Sequence, residues 1–170
     1  LHVQEIDEGV IRLWVGDHIS STSIMAFATE KGIVVIDTFG VPQIDRGLRH
    51  VIARELGRSD FSYLINSHEH ADHTAGIDDL RIFSVKQSGP LPVYGPQETL
   101  ERLRQGFQYI FDDGIQPYAG TSKPLLQPEP IEAGTEITVA GVPVHPLEFD
   151  HGHSRVFGYR FGRMAYITDV

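Results

Sequence analysis

Residues 61–73 read Phe-Ser-Tyr-Leu-Ile-Asn-Ser-His-Glu-His-Ala-Asp-His, a buried-type apolar strand that runs straight into three histidines and an aspartate. In an extended segment side chains two apart share a side, roughly 7 Å apart along the chain. His68 and His70 can therefore close on one cation, while Asp72 and His73, where the chain begins to turn, can aim at a neighbouring one. A solvated polar loop is the plain alternative, but three imidazoles and a carboxylate so close together repel one another or lie exposed to no purpose unless a cation organises them. This dictates the fold. The chain must hold the segment at a strand end and bring other strand ends to it, because rigid elements make precise sites. The sequence holds no cysteine, so the ligands are nitrogen and oxygen only, a set that suits zinc, manganese or iron. Two divalent cations ~3.5–4 Å apart, sharing a water deprotonated near neutral pH, would form a hydrolytic site.

The flanking pattern supplies such strand ends. Val10 to Val15 and Ser21 to Thr29 read as strands, with Glu30-Lys31-Gly32 turning into Ile33 to Ile36, a β-meander that stops at Asp37. Val41, Ile44, Leu48, Val51, Ile52 and Leu56 then recur at helical spacing up to Gly57. Strand Phe61 to Ile65 completes a β–α–β unit, the mark of an α/β fold. A second helix is predicted from Pro96 through Phe107. Residues 112–130, with four prolines and little periodicity, read as a long loop that could serve as a lid over a substrate pocket. The remainder alternates as strands Glu136 to Val139, Val142 to Phe149, Val156 to Phe161 and Ala165 to Thr168.

Two further loops complete the site. His151 lies between two strands in Asp150-His151-Gly152-His153, and Asp169 follows the last apolar strand, where its two oxygens could bridge a pair of cations. His153 is read as a neighbour of the site rather than a ligand. Asp37 ends a strand and is expected to orient a ligand histidine by accepting its free ring N–H, with a simple helix-cap or turn role as the alternative. His2, His18, His50 and His145 are read as ordinary surface or core histidines.

The 170 residues fit one domain, and a net charge of −9 disfavours a phosphate-backbone partner, which needs a basic surface. A nuclease role is thereby disfavoured. No apolar run is long enough to span a bilayer and no signal-like segment opens the chain. The expectation is a soluble, cytoplasmic protein acting on a small molecule, with no membrane partner.

The residues resemble the metallo-β-lactamase superfamily, whose signature His-x-His-x-Asp-His matches His68, His70, Asp72 and His73 in full. The order of Asp37, the cluster, His151 and Asp169 agrees as well. The resemblance implies an αββα four-layer sandwich with its site at one edge between the two sheets, spanning residues 1–170 as a single domain. It implies two divalent metal ions (zinc or manganese, or else iron), one on His68, His70 and His151, the other on Asp72 and His73, with Asp169 bridging. Residues 74–170 are similar to the PhnP-type phosphoribosyl cyclic phosphate phosphodiesterases, in Gly76-Ile77-Asp78-Asp79-Leu80-Arg81, Leu91-Pro92-Val93-Tyr94, His151-Gly152, Gly158-Tyr159-Arg160 and Ala165 to Val170. Residues 1–66 look instead like generic hydrolases of the superfamily.

Both ends read as cut, since the chain opens on Leu1 and stops at Val170 directly after an apolar strand. Superfamily members carry another metal-binding His beyond the bridging Asp, so the expectation is one metal held well and the second weakly. The reaction expected is hydrolysis by a metal-bound hydroxide, with a phosphodiester of the cyclic phosphate type as substrate and no Ser or Cys nucleophile. Asp72 would also hold the hydroxide by a hydrogen bond. Arg81 and Arg155 are candidate phosphate contacts, for which a surface role is the better reading, and Arg160 could as easily be structural. The alternatives are hydrolysis of an ester, thioester, lactone or β-lactam, and a non-catalytic metal-binding module. The lack of Cys argues against the β-lactamase subgroups with a Cys ligand, and His70 argues against the diiron redox branch, which tends to carry Glu there.

Overall fold

The computed structural model describes residues 1–16, 22–39, 42–81, 89–119 and 121–170, without the side chains of 42–46, 71, 72 and 79. Seven strands form one sheet in chain order: β1 (His2–Asp7), β2 (Val10–Trp14), β3 (Ser23–Thr29), β4 (Gly32–Ile36), β5 (Phe61–Ile65), β6 (Leu91–Pro96) and β7 (Leu126–Ile131). Neighbours from β1 to β4 pair antiparallel and those from β4 to β7 parallel. A second, antiparallel sheet holds β8 (Ile137–Val139), β9 (Val142–His151), β10 (Ser154–Phe161) and β11 (Met164–Tyr166), in the order β11-β10-β9-β8.

Alternation along each strand sorts the side chains into two faces. Val34, Ile36 and Ile65 pack with Val144, Phe157, Tyr159 and Tyr166 into the core between the sheets. The opposite face of the first sheet is covered by helices. The helix α1 (Pro42–Glu55) sets Leu48 and Ile52 on Ile11, Leu13, Ile24 and Ile33. Its start has Pro at the first turn, where a missing N–H costs nothing. It closes in a Schellman pattern, the Arg58 amide bonding to the Ala53 carbonyl and the Gly57 amide to that of Arg54. The short α2 (Ala71–Thr74) and a 3-10 turn, Ala75–Leu80, link β5 to β6. α3 (Gln97–Gly106) and α4 (Gln108–Phe111) then lay Leu100, Leu103 and Ile110 on Leu64, Leu91 and Val93. Helices, first sheet and second sheet give three successive layers of the expected sandwich. Among the described residues no helix packs on the outer face of the second sheet, and none is long and apolar enough to cross a membrane.

Three strands and one loop reading need correction. β1 was not expected, since His2 to Asp7 alternates weakly at an exposed sheet edge. β6 was not expected either, because Pro92, Gly95 and Pro96 mask it, and β7 occupies the end of the segment read as loop. β7 is the terminal strand of its sheet, so Pro128 and Pro130, two apart, can turn their missing N–H groups to the free edge at no cost in ladder bonds. The lid reading of residues 112–125 also fails. The Leu125 carbonyl accepts from the Leu91 amide, and Lys123 ties back to the Asp112 carbonyl. That puts the segment at the N-terminal end of β6, opposite the strand ends that carry Asp37 and His68. Val41 and His18 lie outside the described residues.

Candidate metal centre

Strands β4 and β5 lie side by side and parallel, so their C-terminal ends deliver Asp37 and the 66–73 segment to one edge, where α/β sheets bind ligands. Asp37 leaves β4 at φ 64°, a conformation that Asp tolerates better than most residues. This turns its carboxylate under the neighbouring loop. There it is fully buried and accepts the Ser67 amide on Oδ1 at 2.8 Å and the Ser67 hydroxyl on Oδ2 at 2.7 Å. His73 Nδ1 and the Tyr166 hydroxyl lie 3.1 Å and 3.0 Å from the same Oδ2, and Ser67 Oγ lies 2.9 Å from His68 Nδ1.

The histidine segment is fixed by its backbone too. The His73 carbonyl accepts the Thr38 amide at 3.0 Å, the Thr38 hydroxyl at 2.9 Å and the Asn66 carboxamide at 3.2 Å. The second sheet pins it from the other side, the Phe157 amide bonding to the Ser67 carbonyl at 3.0 Å and the Tyr159 hydroxyl to the Asn66 carbonyl at 2.6 Å. Burial forces the Tyr159 and Tyr166 phenols well above the ordinary value of 10, which keeps both as neutral hydroxyls.

Above this base the ring nitrogens converge. Asp169, at φ 57°, follows β11 and sets Oδ2 at 3.2 Å from His68 Nε2, 3.5 Å from His73 Nε2 and 4.0 Å from His70 Nδ1. One ligand atom from each of His68, His70 and Asp169 lies within 4.8 Å of the others. His151 reaches in from the β9–β10 hairpin, its ring 5.3 Å from that of His70 and 6.1 Å from that of His68. The hairpin turns in two residues because Gly152 takes φ 61° without steric cost. Buried His68 is held below its ordinary pKa, first by desolvation and then by the neighbouring His73. The neutral ring thus has a free lone pair, yet its buried Nε2 makes no hydrogen bond among the described residues. An orphaned buried nitrogen facing a carboxylate is the arrangement a cation satisfies. The residues present fit a metal.

The predicted site residues thus meet, His68, His70, His73, His151 and Asp169 around one point and Asp37 beneath them. Asp72 stands in α2, and its side chain lies outside the described residues. His153 is exposed at the hairpin tip, and His145 pairs with Glu136 at 2.8 Å. Each candidate arginine already has a partner: Arg81 with Asp78 at 3.8 Å, Arg155 with Glu148 at 2.5 Å and Arg160 with the Gly162 carbonyl at 3.4 Å. A cleft of about 370 Å³ opens beside the cluster, between Glu69, Thr99, Glu132, Glu148, Arg155 and Phe157. Sequence reading missed Ser67, Thr38 and Tyr166 as parts of the site. The one available signal was a small hydroxyl residue wedged between a buried strand and the first histidine.

A family model for the β-lactamase superfamily domain matches residues 34–170. The chain belongs to the metallo-β-lactamase superfamily. Among solved structures this superfamily member is similar to a diphosphatase of the PhnP family, at 25% identity and a TM-score of 0.64, over 84% of this chain and 49% of the other. A subclass B3 metallo-β-lactamase of Bradyrhizobium japonicum matches at 15% identity and a TM-score of 0.64, over 97% and 60% of the two chains. The second likeness bears on fold alone. A Porphyromonas gingivalis protein described as an octanoyltransferase is 35% identical over 114 residues, 67% of this chain and 22% of its own length. The chain thus spans about a fifth of that relative and about half to three fifths of these structural neighbours.

Proposed function

We propose that this superfamily domain is the metal-binding part of a metal-dependent hydrolase that acts on a phosphodiester, with cyclic phosphates the favoured type. The observation that carries the reading is the position of Asp169 Oδ2, within 3.2–4.0 Å of nitrogens on His68, His70 and His73. A carboxylate so placed suits a bridge between two cations. His68, His70 and His151 would hold one and Asp72 and His73 the other, with zinc, manganese or iron compatible with the nitrogen and oxygen set. When bound, the cations supply an activated water and neutralise the negative charge that develops in the reaction.

The rest falls to the chain's own residues. Asp37 and Ser67 orient the histidine rings from below. Asp72 is assigned a second task, accepting a hydrogen bond from the attacking water and so orienting it. The cleft beside Glu69 would receive the remainder of the substrate, on its Phe157 wall and under the Arg155–Glu148 pair. The phosphodiester assignment draws on the likeness of residues 74–170 to PhnP-type enzymes and on the PhnP-family diphosphatase among the similar structures.

One observation favours a second reading, hydrolysis of a neutral ester, thioester, lactone or β-lactam. Arg155 and Arg81 are both paired with carboxylates, so a phosphate anion would depend on the cations alone for its countercharge.

The test compares bis(p-nitrophenyl) phosphate with p-nitrophenyl acetate at matched zinc or manganese loading, in wild type and in His70→Ala. Faster phosphodiester turnover that vanishes in the variant supports the first reading. Ester turnover alone supports the second. Metal binding without turnover of either points to a non-catalytic module and contradicts both.

A further inference from the structure

We propose that Ser67 is a positioning residue, through whose hydroxyl the single carboxylate of Asp37 fixes the proton position on two histidines, His73 directly and His68 at one remove. The inference rests on the metal-centre reading for its consequence, though not for its geometry.

Asp37, as a carboxylate, accepts only. Its Oδ1 is taken by the Ser67 amide, and its Oδ2 faces Ser67 Oγ at 2.7 Å and His73 Nδ1 at 3.1 Å. The Ser67 hydroxyl owns one proton and has two neighbours, that oxygen and His68 Nδ1 at 2.9 Å. If it gave the proton to His68, an oxygen lone pair would face a carboxylate oxygen at 2.7 Å with no hydrogen between them. Giving it to Asp37 removes that repulsion. Ser67 Oγ is then an acceptor towards His68, which must carry its own proton on Nδ1. His73 likewise must carry its proton on Nδ1 to bond with Asp37. Tyr166 does not change the count, since its one hydroxyl proton goes to the Ser23 carbonyl or to Asp37 and neither choice supplies one to a histidine.

In their neutral forms both rings therefore turn lone pairs at Nε2 towards Asp169, His68 at 3.2 Å and His73 at 3.5 Å. Without a cation that arrangement is opposed, because Asp169 would be better served by an Nε2–H donor. The Ser67 hydroxyl holds the His68 proton on the far nitrogen against this pull. With the hydroxyl removed, the proton moves to Nε2, bonds to Asp169 and blocks the lone pair that a metal needs. Metal affinity at the His68 site is then expected to fall ~10–100-fold, as for other outer-shell partners of ligand histidines.

The test reads tautomers from long-range proton–nitrogen spectra of the histidine side chains in the metal-free protein, for wild type, Ser67→Ala and Ser67→Thr. It is followed by zinc titration against a competing chelator. Expected are Nδ1–H forms at both His68 and His73 in wild type, and a switch to Nε2–H at His68 alone in Ser67→Ala with one weakened zinc site. Ser67→Thr, which keeps the hydroxyl, should restore both properties. An Nε2–H form of His68 in wild type overturns the proposal, and that spectrum needs no variant to fold. An unchanged His68 tautomer in folded Ser67→Ala overturns it as well. Because tautomers are read without metal or substrate, failure of the hydrolase reading would show in turnover assays while these spectra still stood.

Discussion

The two sheets contribute to the metal centre in different ways, His70 apart, whose side chain after β5 is 43% exposed. The first sheet supplies Asp37, His68 and His73 with essentially no exposure, each bonded to neighbours on adjacent strand ends. From the second come the hairpin and tail that carry His151 and Asp169, and the Asp169 side chain is 28% exposed. One half of the site is built into the fold and the other half is brought up to it. A buried, hydrogen-bonded base makes ligand geometry part of folding, whereas exposed ligands can be changed with little effect on the folded state.

The largest effect should come from breaking the buried half. Asp37→Ala leaves the Ser67 amide, the Ser67 hydroxyl and His73 Nδ1 without their acceptor, at ~1–3 kcal/mol for each unsatisfied group. A total loss of roughly 3–9 kcal/mol is expected as a lowered urea midpoint, a large share of the ~5–15 kcal/mol of an ordinary domain. An unchanged midpoint would mean that the base is not structural.

Next comes the packing inside the second sheet that carries Asp169. A Cβ on Gly158 would stand 2.8 Å from Phe149 Cε2 and 3.1 Å from the Tyr166 carbonyl, so Gly158→Ala should push β11 away from β10. The expected cost is ~1–3 kcal/mol of overpacking, together with weaker zinc binding because Asp169 rides on that strand. Thermal unfolding and zinc titration of one preparation check both.

Asp169→Asn sharpens the contrast. Metal-free stability should move by no more than ~0.5 kcal/mol, as at other partly exposed positions, while zinc affinity drops at least ~10-fold. Equal losses in both would erase the distinction drawn between the halves.

The smallest effect expected is on pH dependence. His68 has its pKa lowered in the fold, relative to an ordinary value of 6.5. As pH falls past that value the unfolded chain takes up a proton that the folded chain does not. Metal-free stability is therefore full above about pH 6.5 and declines below it, levelling off once the folded-state pKa is passed. Denaturant midpoints between pH 8 and pH 5 measure this, and His68→Gln should flatten the profile.

What the sequence disclosed follows the same division. The cluster from His68 to His73 was legible because its ligands are neighbours in the chain, and His151 and Asp169 because each follows an alternating strand. Ser67 was not legible, since its role depends on a carboxylate thirty residues earlier that only the parallel pairing of β4 and β5 brings near. β7 was hidden for a related reason. Its prolines contradict a strand until its place at the sheet edge is known, and that is a property of topology rather than of local sequence.

The central claim is that His68, His70 and Asp169 close on a cation, and anomalous diffraction from zinc-soaked crystals at the zinc edge tests it most directly. The expected result is a peak inside that triangle, with nitrogen and oxygen ligands at ~2.0–2.2 Å and a second peak towards His73. Zinc bound only elsewhere on the surface, with the triangle empty at saturating metal, would contradict it.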